Sequence, residues 1–142
     1  MTLRQLARSA YEHVPFKLPL FRALRHLPMP ERVYQHLHFD GTFQAYLSDG
    51  TPFRLQSHGD VVENRMFWEA RRGGHERYSL LAWERLARAA RGMALDIGAN
   101  TGVFACVAKA ANPALGVVAF EPVARVARRL RENVALNGYD IQ

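Results

Sequence analysis

The chain has 142 residues, 49% of them apolar and 23% charged, an ordinary globular composition that excludes a disordered tail or a fibre. No apolar run approaches the ~18 residues of a membrane-spanning helix and the N-terminus lacks the apolar core of a secretory signal, so a cytoplasmic protein without a membrane span is expected. The net charge of +6 is almost wholly arginine, since only Lys17 and Lys109 among the 19 basic residues are lysine. These arginines are scattered from Arg4 to Arg131 and not gathered with aromatic stacking groups into a module, which argues against nucleic acid as a partner. A single cysteine, Cys106, excludes an intrachain disulfide framework and a Cys-based zinc site.

Residues 1–33 read as a helical segment. Leu3, Leu6, Ala7, Ala10, Tyr11 and Val14 form an amphipathic stripe over residues 2–14, ended by Pro15. A second helical piece carries Phe21, Leu24 and Leu27 and is fenced by Pro19, Pro28 and Pro30. Accompanying arginines allow a membrane-surface arm, or more simply a helix laid over its own domain. Over residues 34–57 the period falls to two, with breaks at Asp40-Gly41 and Asp49-Gly50, so a small antiparallel meander is expected. His36 and His38 share one side of such a strand but lack a third ligand at suitable spacing, and no metal site is expected. Ser57-His58-Gly59-Asp60 only superficially evokes a hydrolase triad, because triads are assembled in space.

Residues 60–92 read as two helices leading into the core. Asp60 and Glu63 have the spacing of a capping box, and Gly73-Gly74 ends the first helix. The second runs from about Glu76 to Arg91, with Tyr78, Ala82, Leu86 and Ala90 on its main apolar face. Leu80, Trp83 and Ala87 lie on a second face, Glu84 and Arg88 on an exposed edge, and Gly92 closes it.

Residues 93–142 are of a different kind, a βαβα run that makes the fold class α/β with two parallel strands. Met93-Ala94-Leu95 lacks polar alternation, as expected of a strand covered on both faces, and ends at Asp96. The turn Asp96-Ile97-Gly98-Ala99-Asn100-Thr101-Gly102 comes next, then a helix with Val103, Phe104, Val107, Ala108 and Ala111. The run Gly116–Phe120 ends at Glu121, and a last helix turns Val123, Val126, Ala127, Leu130 and Val134 inward and its arginines mostly outward until Asn137-Gly138. In an open parallel sheet a ligand sits beyond the carboxyl ends of the strands, where Asp96 and Glu121 emerge. Glycines 98 and 102 let the backbone approach a ligand, and Glu121 is placed to hold the vicinal hydroxyls of a ribose. The G-x-x-x-G spacing is neither the G-x-G-x-x-G dinucleotide fingerprint nor a P-loop, and Asp96 repels phosphate while suiting an ammonium group. Glu121 alone fits equally a helix-capping role before Pro122, and Asn133 and Asn137 read as helix-end residues.

The strings Leu95 to Gly102 (LDIGANTG), Ala119 to Pro122 (AFEP) and Arg131 to Gly138 (RENVALNG) resemble the class I S-adenosylmethionine-dependent methyltransferases, specifically the FkbM family. The resemblance is dense over residues 93–138. It implies a Rossmann-like fold with S-adenosylmethionine as cofactor, truncated after the second βα unit and preceded by the helices and meander. Asp96, Gly98, Ala99, Asn100, Thr101 and Gly102 would surround the methionine end, and Glu121 the ribose. It also implies methyl transfer to a hydroxyl of a small-molecule acceptor such as a sugar or secondary metabolite. No catalytic base is assigned, because a fold of this class has further strands beyond Gln142; an N-terminal fragment inactive alone is therefore expected. A non-catalytic donor-binding module and an RNA methyltransferase or RNA-binding module are the alternatives.

Overall fold

A computed structural model describes residues 17–27, 29–69 and 76–142. The expected helix over residues 2–14 and the Gly73-Gly74 stop lie outside them. Helix α1 spans Lys17–Leu24, and Pro19 lies within its first turn, where a missing N–H costs nothing, so this proline does not fence the helix. Helix α2, Glu31–Tyr34, is a single turn entered from Pro30. His36 and His38 lie in coil after it and not on a strand.

The expected meander is a two-stranded hairpin. Strands β1 (Asp40–Tyr46) and β2 (Pro52–His58) pair antiparallel from Asp40↔His58 to Tyr46↔Pro52. Asp49-Gly50 makes the turn, with the Thr51 N–H donating to Asp49 Oδ1 and Gly50 at φ +88. Helix α3 (Val61–Glu69) covers one face of the hairpin. Asp40-Gly41 begins β1 instead of breaking a strand, because Leu37 and Phe39 pack as coil under helix α3. Alternation buries Phe43, Ala45, Phe53, Leu55 and Ser57 on the covered face. Helix α3 contributes Phe67 to it, whose ring meets Phe39 and Phe43 at 4.5 and 5.5 Å.

The expected capping box does not form. The Asp60 carboxylate pairs with Arg129, and both Glu63 carboxylate oxygens are buried without a hydrogen-bond partner. Helix α4 (Arg77–Ala89) also turns differently from its apolar pattern: Tyr78 and Leu86 are exposed, while Trp83 and Ala87 face the core. Glu84, expected at an exposed edge, is buried and accepts hydrogen bonds from the Ser48 N–H (3.0 Å), the Ser48 hydroxyl (2.6 Å) and Arg88. Burial pushes its pKa up, but Ser48 and Arg88 outweigh this and hold it below the ordinary glutamate value. The helix stops at Ala89, three residues before the glycine expected to close it, and Gly92 at φ +90 opens the next strand.

Strand β3 (Met93–Ile97), helix α5 (Val103–Ala111), strand β4 (Gly116–Phe120) and helix α6 (Ala124–Asn137) form the βαβα run, with β3 and β4 parallel in the register Asp96↔Ala119. The Gln142 N–H donates to Val117 O and its carbonyl accepts from the Ala119 N–H, the pattern of a parallel neighbour on the outer edge of β4. Only one face of β3 is covered among the described residues. Ala94 packs with Ala105, Ala108 and Val117, whereas Met93, Leu95 and Ile97 are exposed, so the expectation of a strand covered on both sides does not hold there.

The hairpin and the βαβα run are joined along α6. Asn137 grips the Arg54 peptide through both its amide atoms (2.7 and 2.8 Å), and one turn earlier Asn133 accepts from the Gln56 N–H at 2.7 Å. Glu132 meets His58 Nε2 at 2.7 Å, and Arg129 pairs with Asp60. As α6 descends in residue number, β2 ascends. Strand β2 therefore runs parallel to β3 and β4, and the β2–α3 junction emerges at the same edge as Asp96 and Glu121.

Candidate ligand site at the strand ends

The site is built from the exit of two strands. Asp96 lies on the covered face of β3 and aims toward the start of α5, where its carboxylate accepts the Ala105 N–H, a hydrogen bond in the first turn of that helix. Burial raises its pKa above the ordinary aspartate value, a push that this N–H opposes in part. Its Oδ2 is buried without a partner. A carboxylate so placed is suited to a cationic hydrogen-bond donor.

The turn between β3 and α5 is fixed by its own backbone. The Gly98 and Ala99 N–H groups both donate to Phe120 O at 2.9 Å, and the Gly102 N–H donates to Ala99 O at 2.8 Å. Gly98, Asn100 and Gly102 all have positive φ, at +79, +50 and +84. The two glycines serve different needs. A Cβ at Gly102 would stand 3.0 Å from Leu130 Cγ, so this glycine allows α6 to close against α5. A Cβ at Gly98 would meet nothing within 4 Å, so this one leaves open space at the edge.

Glu121 joins the two strand exits. Its Oε2 accepts the Asn100 N–H at 3.0 Å and its Oε1 the Val123 N–H at 2.9 Å. The capping role and the ligand role are compatible, because each oxygen keeps a lone pair and the two N–H groups hold the carboxylate still. Pro122 lies before the helix, which starts at Ala124, instead of at its first position. Ala99 and Thr101 are buried beneath the turn. Thr101 gives its carbonyl to Asn133 Nδ2 at 2.8 Å, while its hydroxyl is buried without a partner.

Asp96, Gly98 to Gly102 and Glu121 thus meet at one edge. Asn133 is the residue that sequence spacing under-reads. Fully buried in mid-helix, it ties the Thr101 carbonyl of the glycine turn to the Gln56 N–H, and its pairing with Asn137 at i, i+4 is the available signal. The other candidates do not converge: Ser57 donates to Phe39 O in the core, and His58 turns to Glu132, so no triad forms. Cys106 is buried, its thiol pushed up to about 12 by burial, as befits a packing residue. No group of three or more metal-ligating side chains occurs among the described residues, and none of their helices is long and apolar enough to cross a membrane.

No family model and no curated protein sequence matches the chain. Among solved structures the chain is similar to a SAM-dependent methyltransferase from Agrobacterium tumefaciens, with 19% identity and a TM-score of 0.48. The match covers 81% of this chain and 41% of that one, so the chain spans less than half the length of that structure.

Proposed function

We propose that this chain binds S-adenosylmethionine at the edge formed by Asp96, Gly98 to Gly102 and Glu121, and serves methyl transfer to a hydroxyl oxygen of a small acceptor, in the manner of the FkbM methyltransferases that its motifs resemble. The observation that carries the proposal is the unpartnered, buried Oδ2 of Asp96 beside an open glycine turn, with a braced carboxylate at the neighbouring strand exit.

When bound, the sulfonium supplies an electrophilic methyl group. The chain's own residues supply position: Asp96 receives the ammonium of the amino-acid tail, and Glu121 accepts from the ribose hydroxyls with its remaining lone pairs. Gly98, with open space beyond its Cα, leaves the backbone of the turn accessible to close approach by the ligand. Fixing the donor before the acceptor arrives removes orientational freedom from the reacting pair, a large part of what a two-substrate transfer requires.

Calorimetric titration with S-adenosylmethionine tests the reading, with two alanine variants as its internal contrast. Gly98→Ala is expected to keep the fold, at about 1 kcal/mol for its positive φ, and to weaken uptake roughly tenfold or more. Gly102→Ala is expected to lower the melting temperature instead, because its methyl meets Leu130. Absence of uptake by the native chain, or Gly98→Ala binding as well as native, would overturn the proposal.

A further inference from the structure

The glycine turn is held from two sides. Its first half is tied within the βαβ unit, where the Gly98 and Ala99 N–H groups donate to Phe120 O and the Asn100 N–H donates to Glu121. Its second half is tied across to α6, where the Thr101 carbonyl accepts from Asn133 Nδ2 at 2.8 Å. The Thr101 side chain adds no tie of its own, since its hydroxyl is buried without a partner.

Asn133 meets this carbonyl with a side chain that is itself fixed. It is 0% exposed, and its Oδ1 accepts from the Gln56 N–H of β2 at 2.7 Å. One partner is a donor and the other an acceptor, both of them backbone, so the residue between them must offer an acceptor and a donor on one short side chain. An amide does so in a single orientation. Alanine or leucine would have the better helix propensity but would leave both backbone groups unpaired in the core. Asn137, one turn later, has a different reach. Its amide takes the Arg54 N–H at 2.7 Å and gives to Arg54 O at 2.8 Å and to Asn133 O at 2.7 Å, so these hydrogen bonds stay within α6 and its seam with β2.

We infer that Asn133 is a positioning residue of the donor site, which fixes the Thr101 end of the glycine turn from the edge of β2. The inference rests on the donor site proposed above, and it adds that the hairpin sets how well the turn is preformed for the donor. Coupling of this kind is reciprocal, so donor uptake must in turn strengthen the hold on the Gln56 N–H.

Asn133→Asp keeps the side chain's shape. Its carboxylate still accepts from Gln56 but sets an oxygen without a proton against the Thr101 carbonyl; once protonated, its O–H donates to that carbonyl and the native pattern returns. Titrated with S-adenosylmethionine from about pH 5 to about pH 9 beside the native chain, the variant is expected to bind about tenfold more weakly at the alkaline end and to approach native affinity at the acid end. Asp96, Glu121 and the ion pairs His58–Glu132 and Arg129–Asp60 are common to both chains, so the ratio of their affinities reports residue 133. Asn137→Asp, whose loss falls on the seam alone, is expected to lower the melting temperature and keep native affinity. Hydrogen exchange on the native chain tests the coupling without a substitution, and carries the test if Asn133→Asp fails to fold. S-adenosylmethionine is expected to slow the Gln56 amide by a larger factor than the Arg54 amide, which Asn137 holds. Native affinity of Asn133→Asp at every pH, an equal loss in Asn137→Asp, or equal slowing of the two amides would overturn the inference while leaving the donor site standing. Failure of the native chain to bind S-adenosylmethionine would overturn both.

Discussion

Asp96 shows how one side chain sets binding against stability. Burial lifts its pKa above 3.8, and the Ala105 N–H only partly opposes the lift. The folded chain therefore holds this proton more tightly than the unfolded chain does. The contribution of the group to stability is fully present below pH 3.8 and is lost as pH rises through the folded value. Asp96→Asn should accordingly raise the melting temperature of the ligand-free chain at neutral pH, with the gain shrinking toward pH 3.8, since the amide oxygen still accepts from Ala105. The same variant should lose about 10- to 100-fold in S-adenosylmethionine affinity, the worth of one charge-assisted hydrogen bond. Melting curves at several pH values and calorimetric titration check the two halves. A variant less stable than native at pH 7 would mean that the buried carboxylate is satisfied by a group other than a ligand.

At the scale of elements, the contrast between what the sequence announces and what it conceals comes from the range of the contacts involved. Strand β3, helix α5 and strand β4 are legible almost to the residue, because unbroken apolar runs, glycine turns and helical periodicity are local signals. The facing of α4 is not legible. Its strongest apolar stripe, through Tyr78 and Leu86, stays outside, and Glu84 goes in because Ser48, 36 residues away, offers it two hydrogen bonds. Likewise, the site's acid and glycines stand in one short string, whereas the clamp that holds them is written in single residues of α6 facing β2. Asn133 is the centre of that clamp, taking the Gln56 N–H and giving its own amide hydrogen to Thr101 O. Asn133→Ala leaves a backbone donor and a backbone acceptor unpaired at a fully buried position. It should cost about 2 to 4 kcal/mol, measured as a drop in the urea midpoint at unchanged slope. A loss below about 0.5 kcal/mol would show that α6 does not depend on this seam.

Over the whole molecule, hairpin and βαβα run share a core instead of meeting at a surface. Phe43, Phe53 and Leu55 of the hairpin lie in one buried cluster with Val103, Cys106 and Val107 of α5. Trp83 packs against this cluster and against the second one, formed by Ala87, Ala105, Ala108, Leu115 and Val117. A two-stranded parallel sheet cannot hold itself together, so the helices between it and the hairpin bind both layers to a common fate. The two tryptophans report on the two sides of this arrangement. Trp68 donates to Leu37 O and lies against Phe21, Tyr34 and Phe67, whereas Trp83 donates to Phe104 O and meets its ring edge-on. In Trp83→Phe the remaining fluorescence reports the hairpin core, and in Trp68→Phe it reports α4 on α5. Each substitution shifts stability by removing an indole hydrogen bond, about 1 kcal/mol, so the comparison belongs within each variant, fluorescence against far-ultraviolet circular dichroism. A shared core requires the two signals to fall together in both variants, as in a two-state transition. If Trp68 fluorescence were lost at lower urea than the helical signal, the hairpin would be a separate unit, and the seam along α6 would not bind it to the βαβα run.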